Sequence, residues 1–267
     1  REWGDLALSL GEFDEARHAY RDIALPAARL HHTSREVLAM KDALATVASE
    51  AGDFGGAIEI LKDVAEESGR ILGADHPDTL RSRNNLALAH RAAGQLNEAI
   101  PIHEETLTAL TRILGPNHPD TLISRNNLAD AYRAAGRVNE AIPLFEETLE
   151  AQTQILGPNH PDTLRSRNNL ATAYQAAGRL HDAIPLHEET LEARTRILGP
   201  NHPDTLSSRN NLANAYQEVG RLHDAIPLHE ETFTALTRIL GPNHPDTLSS
   251  RDNLALAYQD AGRFNDA

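Results

Sequence analysis

Residues 115–156 read GPNHPDTLISRNNLADAYRAAGRVNEAIPLFEETLEAQTQIL, and residues 157–198 read GPNHPDTLRSRNNLATAYQAAGRLHDAIPLHEETLEARTRIL. The second stretch restates the first at a spacing of 42. Self-similarity at a fixed period of this size marks an array of stacked supersecondary units before any local propensity is weighed. Gly73, Gly115, Gly157, Gly199 and Gly241 carry the period along the chain, and each is followed by Pro or Ala and then His-Pro-Asp-Thr-Leu. Gly52, Gly94, Gly136, Gly178, Gly220 and Gly262 form a second series at the same spacing, with Gly11 falling 41 before the first of them. Two breakers per unit mean two helices per unit.

The copy at 76–94, HPDTLRSRNNLALAHRAAG, shows how the first helix of a unit is bounded. His76 stands at the cap and Pro77 at the first helical position, where its missing N–H would be unbonded anyway. Asp78 complements the positive end of the helix dipole. Gly94 suits the residue after the C-cap because it tolerates φ > 0, and Asn97 is expected to cap the second helix. That helix carries Ala99, Ile100, His103, Leu107, Leu110 and Leu114 at i, i+3, i+4 spacing, so this stripe must be buried. Pro101, Pro143, Pro185 and Pro227 are expected within about four residues of that cap, where few amides yet have partners.

No helix pair can bury its apolar face alone, so neighbouring units must stack. The chain is therefore read as all-α: an α-solenoid of stacked antiparallel helix pairs. Residues 1–72 read as two diverged pairs, 1–31 with Leu6, Leu8, Leu10, Ala16 and Tyr20, and 36–72 with Leu38, Ala45, Ala57, Ile58 and Leu61. Residues 73–267 read as four regular units and a last one cut short, continuous with the first two as one solenoid. The chain begins at Arg1 and stops at Asn265-Asp266-Ala267, inside an expected helix start, so it is read as a piece of a longer protein.

Composition narrows the function. Aromatics are 4% against 40% hydrophobic residues, which fits thin helical layers rather than one thick centre. A net charge of −14 argues against nucleic acid or an acidic membrane as partner. The chain has no cysteine, which removes disulfides and Cys-based chemistry and suits a reducing cytoplasm. No stretch of apolar residues is long enough to span a membrane.

The phrase LGPNHPDTLxSRNNLAxAYxxAGRxxxAIPLxEETL resembles the 42-residue tetratricopeptide repeats of kinesin light chains and their bacterial relatives, strongly over residues 70–267 and weakly before. The resemblance implies a right-handed superhelix whose concave groove is lined by the first helix of each unit. It also implies a protein-binding role; bacterial proteins of this kind often carry the repeats behind a signalling NTPase module or beside a caspase-like protease.

On a helical wheel, Leu86, Ala87, His90 and Ala93 take one side of the first helix and Arg81, Asn84, Leu88, Arg91 and Ala92 the other. The resemblance makes the second side the groove floor. Asn84, Asn126, Asn168 and Asn210 recur there, with Asp252 last, and Asn85, Asn127, Asn169, Asn211 and Asn253 stand beside them. An amide can donate to and accept from a peptide backbone at once, so such rows suit a sequence-tolerant grip on an extended segment; the competing role is bonding between neighbouring helices. Other floor positions vary: Arg81, Ile123, Arg165, Ser207 and Ser249 at one, Leu88, Asp130, Thr172, Asn214 and Leu256 at another, Arg91, Arg133, Gln175, Gln217 and Gln259 at a third. Arginines fall early and Glu218 and Asp260 late, which makes the N-terminal half the better site for an acidic peptide. Arg83, Arg125, Arg167, Arg209 and Arg251 point to the packed side, where an unpaired charge is costly, so they are expected to pair with Glu104 or Glu105 and their equivalents.

Five of the 14 histidines, His76, His118, His160, His202 and His244, occupy cap positions. His181 and His187, like His223 and His229, are six apart and so about 120° from superposition on a helix. No HExxH, GxxxxGK[ST] or GxSxG occurs, so no metal, cofactor or catalytic site is expected. The expected function is a scaffold holding a partner segment in the groove. The alternatives are a self-association or autoinhibitory module, and the sensor of a multidomain NTPase regulator.

Overall fold

A computed structural model describes residues 13–24 and 34–263 of the chain. Every regular element among the described residues is helical. The helices are α1 (Phe13–His18), running into a π-helical turn at Ala19–Ala24, then α2 (Ser34–Glu50), α3 (Phe54–Leu72), α4 (Pro77–Ala92), α5 (Leu96–Leu114) and α6 (Pro119–Ala134). After them come α7 (Val138–Leu156), α8 (Pro161–Ala176), α9 (Leu180–Leu198), α10 (Pro203–Glu218), α11 (Leu222–Leu240) and α12 (Pro245–Asp260). The chain forms two compact units, Arg1–Gly136 and Arg137–Ala267. Within each, consecutive helices pack side by side, and first helices also touch one another: α2 and α4, and α4 and α6, in one unit, and α8 and α10 in the other. This is the consecutive packing of an α-solenoid. Leu6, Leu8 and Leu10 lie outside the described residues, as do Asn265, Asp266 and Ala267.

Local chemistry sets the helix ends. At the start of α4, α6, α8, α10 and α12 the cap histidine accepts from the backbone N–H two residues on, as His76 Nδ1 does from Asp78 at 3.1 Å and His160 Nδ1 from Asp162 at 3.2 Å. At its end Gly94 adopts φ +73°, and the N–H groups of Gly94 and Gln95 turn back to Arg91 and His90 at 3.0 and 2.9 Å. These two bonds close a Schellman turn.

That turn corrects two expectations. Because Gln95 is already tied back to α4, the next helix starts at Leu96 with Gln95 as N-cap, and Gln95 makes no side-chain cap bond. Asn97 is thus inside α5. Pro101 consequently lies in the second turn, where an ordinary residue would donate to the carbonyl of Asn97, and the same holds for Pro143, Pro185 and Pro227 in α7, α9 and α11. All four prolines are exposed, so the freed carbonyls can turn to water. Pro185→Ala restores that bond and is expected to raise the unfolding free energy by about 1–2 kcal/mol, after the gain in unfolded-state entropy is deducted. Urea titration checks it.

In unit 1, Ala16 packs with Leu44 and Val47, and Leu61 and Ala65 pack with Leu86 and Ala89. Lys41, 9% exposed, reaches Asp63 and Glu67 at 2.5 and 2.8 Å. The stripe expected on α5 is inside: Ala99, Ile100, His103 and Leu110 are buried, with Leu107 and Leu114 at its half-buried margins. In unit 2, Ile184, Leu212, Ala215, Tyr216 and Ala225 form one cluster.

Three of the repeated arginines meet a glutamate of the second helix as expected, each time the second of the two offered, whereas Arg251 lies 3.7 Å from Asp252 on its own helix. Arg83, Arg167 and Arg209 approach Glu105, Glu189 and Glu231 at 4.0, 3.8 and 3.5 Å. Arg167 and Arg209 also donate to the carbonyls of Pro158 and Pro200. The preceding glutamate instead accepts a phenol: Tyr132 donates to Glu104 at 2.6 Å and Tyr174 to Glu146 at 2.5 Å. Burial first, and then this bond to Glu146, pushes the Tyr174 phenol up to about 12. Arg179 and Arg221 lie over the faces of Tyr174 and Tyr216, each 4.1 Å from the ring centre.

Candidate peptide-binding face

The first helices carry every residue singled out for the groove, and each unit supplies its own stretch of that face. In unit 1, Asn84 on α4 and Asn126 on α6 are each 9% exposed, more enclosed than a groove floor would make them. Asn85, Asn127, Asp130, Arg91 and Arg133 are half-buried, and Arg81 is exposed. In unit 2, Asn168, Asn169, Gln175, Asn210, Asn211, Asn214 and Gln217 are half-buried and Arg165 is exposed.

The asparagines are joined in pairs by a one-step offset. Asn127 Nδ2 donates to Asn84 Oδ1 at 3.2 Å, Asn211 to Asn168 at 3.1 Å and Asn253 to Asn210 at 3.1 Å, each across 43 residues. Asn85 stands in the corresponding place beside Asp42 of α2. Burial pushes the Asp42 carboxyl up, against the pull of Arg81 and Asn85. The inter-helix role weighed against ligand contact is therefore in use. Each bond occupies one oxygen of one amide and one N–H of the other, leaving the NH₂ of the first and the carbonyl of the second for further bonding.

The charged positions separate the two units. In unit 1, Arg81 pairs with Asp78, and Arg133 with Asp130 at 3.1 Å, while Arg91 has no ion pair among the described residues. In unit 2, Arg165 pairs with Asp162 at 2.8 Å, but the later positions carry amides that donate to acids: Gln175 to Glu218 at 2.5 Å and Gln217 to Asp260 at 2.6 Å. Asn214 shares this face, with no side-chain hydrogen bond among the described residues.

A cavity of about 570 Å³ opens in unit 2 where α10, α11 and α12 meet, and Ser207, Asn210, Ser249 and Asn253 line it from the first helices. Leu206, Leu236, Ile239 and Leu240 supply its apolar wall. Sequence reading found the first-helix residues but missed the second-helix wall, whose signal is the change from Arg194 to Leu236 at the repeat spacing. Among the described residues no three His, Asp or Glu side chains are grouped to hold a metal ion, and no helix is long and apolar enough to cross a membrane.

The tetratricopeptide repeat profile matches residues 36–111, 84–153, 125–194, 167–236 and 207–267. The chain belongs to the tetratricopeptide repeat family. Repeats of this family serve in general as protein-interaction scaffolds rather than catalysts. The crystal structure of nearly identical tetratricopeptide-like repeats of a putative kinesin light chain from Podosopora anserina is 34% identical, with a TM-score of 0.66 over 78% of this chain and 98% of that one. BtubC (BKLC) from P. vanneervenii is 23% identical, with a TM-score of 0.66 over 78% of this chain and 84% of that one. A STAND ATPase with a tetratricopeptide repeat sensor from Pyrococcus horikoshii is 16% identical, with a TM-score of 0.70, over 98% of this chain but 38% of that one. At that identity the likeness is one of fold. No curated protein sequence matches this chain.

Proposed function

We propose that the chain holds an extended segment of a partner protein against its first helices, and that the face of unit 1 takes an acidic segment. The observation that carries this reading is the half-buried Arg91, which has no ion-pair partner among the described residues, set one repeat before Arg133 on the same face. A carboxylate there gains charge-assisted bonds that water screens only in part. The asparagine pairs beside it support the reading, since each keeps amide groups able to bond a peptide backbone whatever its side chains.

An array of end-blocked acidic nonapeptides tests this. Wild-type protein is expected to bind a subset saturably, and Arg91→Gln with Arg133→Gln to weaken that binding at least about tenfold, a change of about 1.4 kcal/mol. Binding that survives both changes places the acidic segment elsewhere. Concentration-dependent mass in sedimentation, with no peptide bound, favours self-association instead.

A further inference from the structure

The cavity of unit 2 has a counterpart one repeat earlier that shows what it is shaped to hold. There, Arg194 extends from α9 into the packing between first helices and is 8% exposed. Its Nη1 donates to Ser208 Oγ at 2.8 Å and to the backbone carbonyl of Asp204 at 3.0 Å. Arg165 lies close enough to depress its pKa, after the larger effect of burial. Moving on by 42 residues, Arg165 becomes Ser207, Arg194 becomes Leu236, Ser208 becomes Ser250 and Asp204 becomes Asp246. Both arginines are replaced by shorter side chains while both acceptors are kept.

Two independent features of this place follow from the exchange. The first is the cavity of about 570 Å³, lined by Ser207, Leu236, Asp246 and Ser250. The second is the Ser250 hydroxyl: the residue is 3% exposed and its Oγ has no hydrogen-bond partner. Ser124, at the same repeat position behind Leu110, is likewise without a partner, and the cavity beside Ser250 is what gives this hydroxyl room for a donor. The lining holds the carboxylate of Asp246 and no Lys or Arg, on a chain of net charge −14. His244, the remaining basic residue there, uses Nδ1 to accept from the N–H of Asp246 at 3.2 Å.

We propose that this cavity receives an arginine side chain from the bound partner segment. Its guanidinium donates to Ser250 Oγ and the Asp246 carbonyl, as Arg194 does to Ser208 and Asp204, and its aliphatic stem lies along Leu206, Leu236 and Ile239. The proposal rests on the first-helix face being a peptide-binding face, and it gives the end of that face in unit 2 a preference opposite to that of unit 1. Arg194 makes both bonds from one nitrogen, Nη1, so the rest of a bound guanidinium stays available to the Asp246 carboxylate, a spread of donors that a compact ammonium lacks.

End-blocked nonapeptides with a central arginine, and matched sets with citrulline or lysine there, are arrayed against the wild-type chain. A subset of arginine peptides is expected to bind, with the citrulline partners weaker by about tenfold or more. Leu236→Arg supplies the internal arginine of the preceding repeat and is expected to abolish arginine-peptide binding while acidic-peptide binding to unit 1 persists. Ser207→Arg, at an exposed position, blocks the same space without touching the core and is expected to act alike. Arginine and citrulline peptides bound equally well, or arginine peptides bound undiminished by Ser207→Arg, would overturn the proposal. Acidic peptides bound with no arginine peptide overturn this inference alone, whereas no peptide of either kind bound overturns the peptide-binding reading with it.

Discussion

Acidification from pH 7 to pH 4 is expected to destabilise the fold well before its carboxylates are protonated. His103, His187 and His229 are wholly buried in α5, α9 and α11, and neither ring nitrogen of any of them has a hydrogen-bond partner. Burial pushes His103 and His187 down to about 4 and lowers His229 as well; Arg91 adds to the effect at His103. The folded chain thus holds neutral imidazoles that the unfolded chain protonates near its ordinary pKa of about 6.5. The stabilisation is complete above that value and is lost as the pH falls from about 6.5 to about 4. Each of His103 and His187 forfeits on the order of 3 kcal/mol over this range. Asp42, raised by burial, runs the other way as a single group.

Phe145 supplies the control. It occupies the same repeat position as these histidines and is 0% exposed, so the site accepts a phenyl ring. His187→Phe with His229→Phe is expected to flatten the pH dependence of the urea midpoint between pH 7 and pH 4.5. A double variant as acid-sensitive as the wild type would show that the buried imidazoles are not the cause.

Leu170→Ala is expected to lower the unfolding free energy by about 2–5 kcal/mol, the range for truncating a buried leucine in a core that relaxes only in part. Leu170 is 4% exposed on α8, in the middle of the repeats. In a stack, each pair is supported by its neighbours alone, so the loss spreads: amides of α9 and α10 are expected to exchange faster along with those of α8. Ile197, 47% exposed, is the matched surface site, and Ile197→Ala is expected to stay within about 0.5 kcal/mol. A melt unchanged by Leu170→Ala would refute the packing described.

What was legible in the sequence was what each unit decides by itself. Glycine at φ > 0, histidine before proline and a stripe at 3.6-residue spacing act within one turn of the chain, so helix ends and the buried face of α5 follow from local chemistry. The misreading of Asn97 as a cap came from the following Schellman turn, whose second bond at Gln95 leaves no further loop. What was harder to read concerns neighbours. A wheel places Asn84 on the open side of its helix and leaves both a ligand and a neighbouring helix as partners; the next first helix does bond it, because stacking offsets the two by one residue. The choice between Glu104 and Glu105 as the arginine's partner was open for the same reason: a tyrosine 28 residues after Glu104 takes it, leaving Glu105 to Arg83. The cavity in unit 2 was half visible, through Ser207 and Ser249, but its origin required comparing second helices as well.

The paired asparagines have a further consequence. Asn84 with Asn127, Asn168 with Asn211 and Asn210 with Asn253 are the same two side chains meeting in the same way, so the joint between first helices does not depend on which unit stands on either side. A copy gained or lost by unequal exchange in the coding sequence meets ready-made partners on both flanks. The number of units is therefore free to drift over generations, and reach becomes a heritable trait that varies in whole steps.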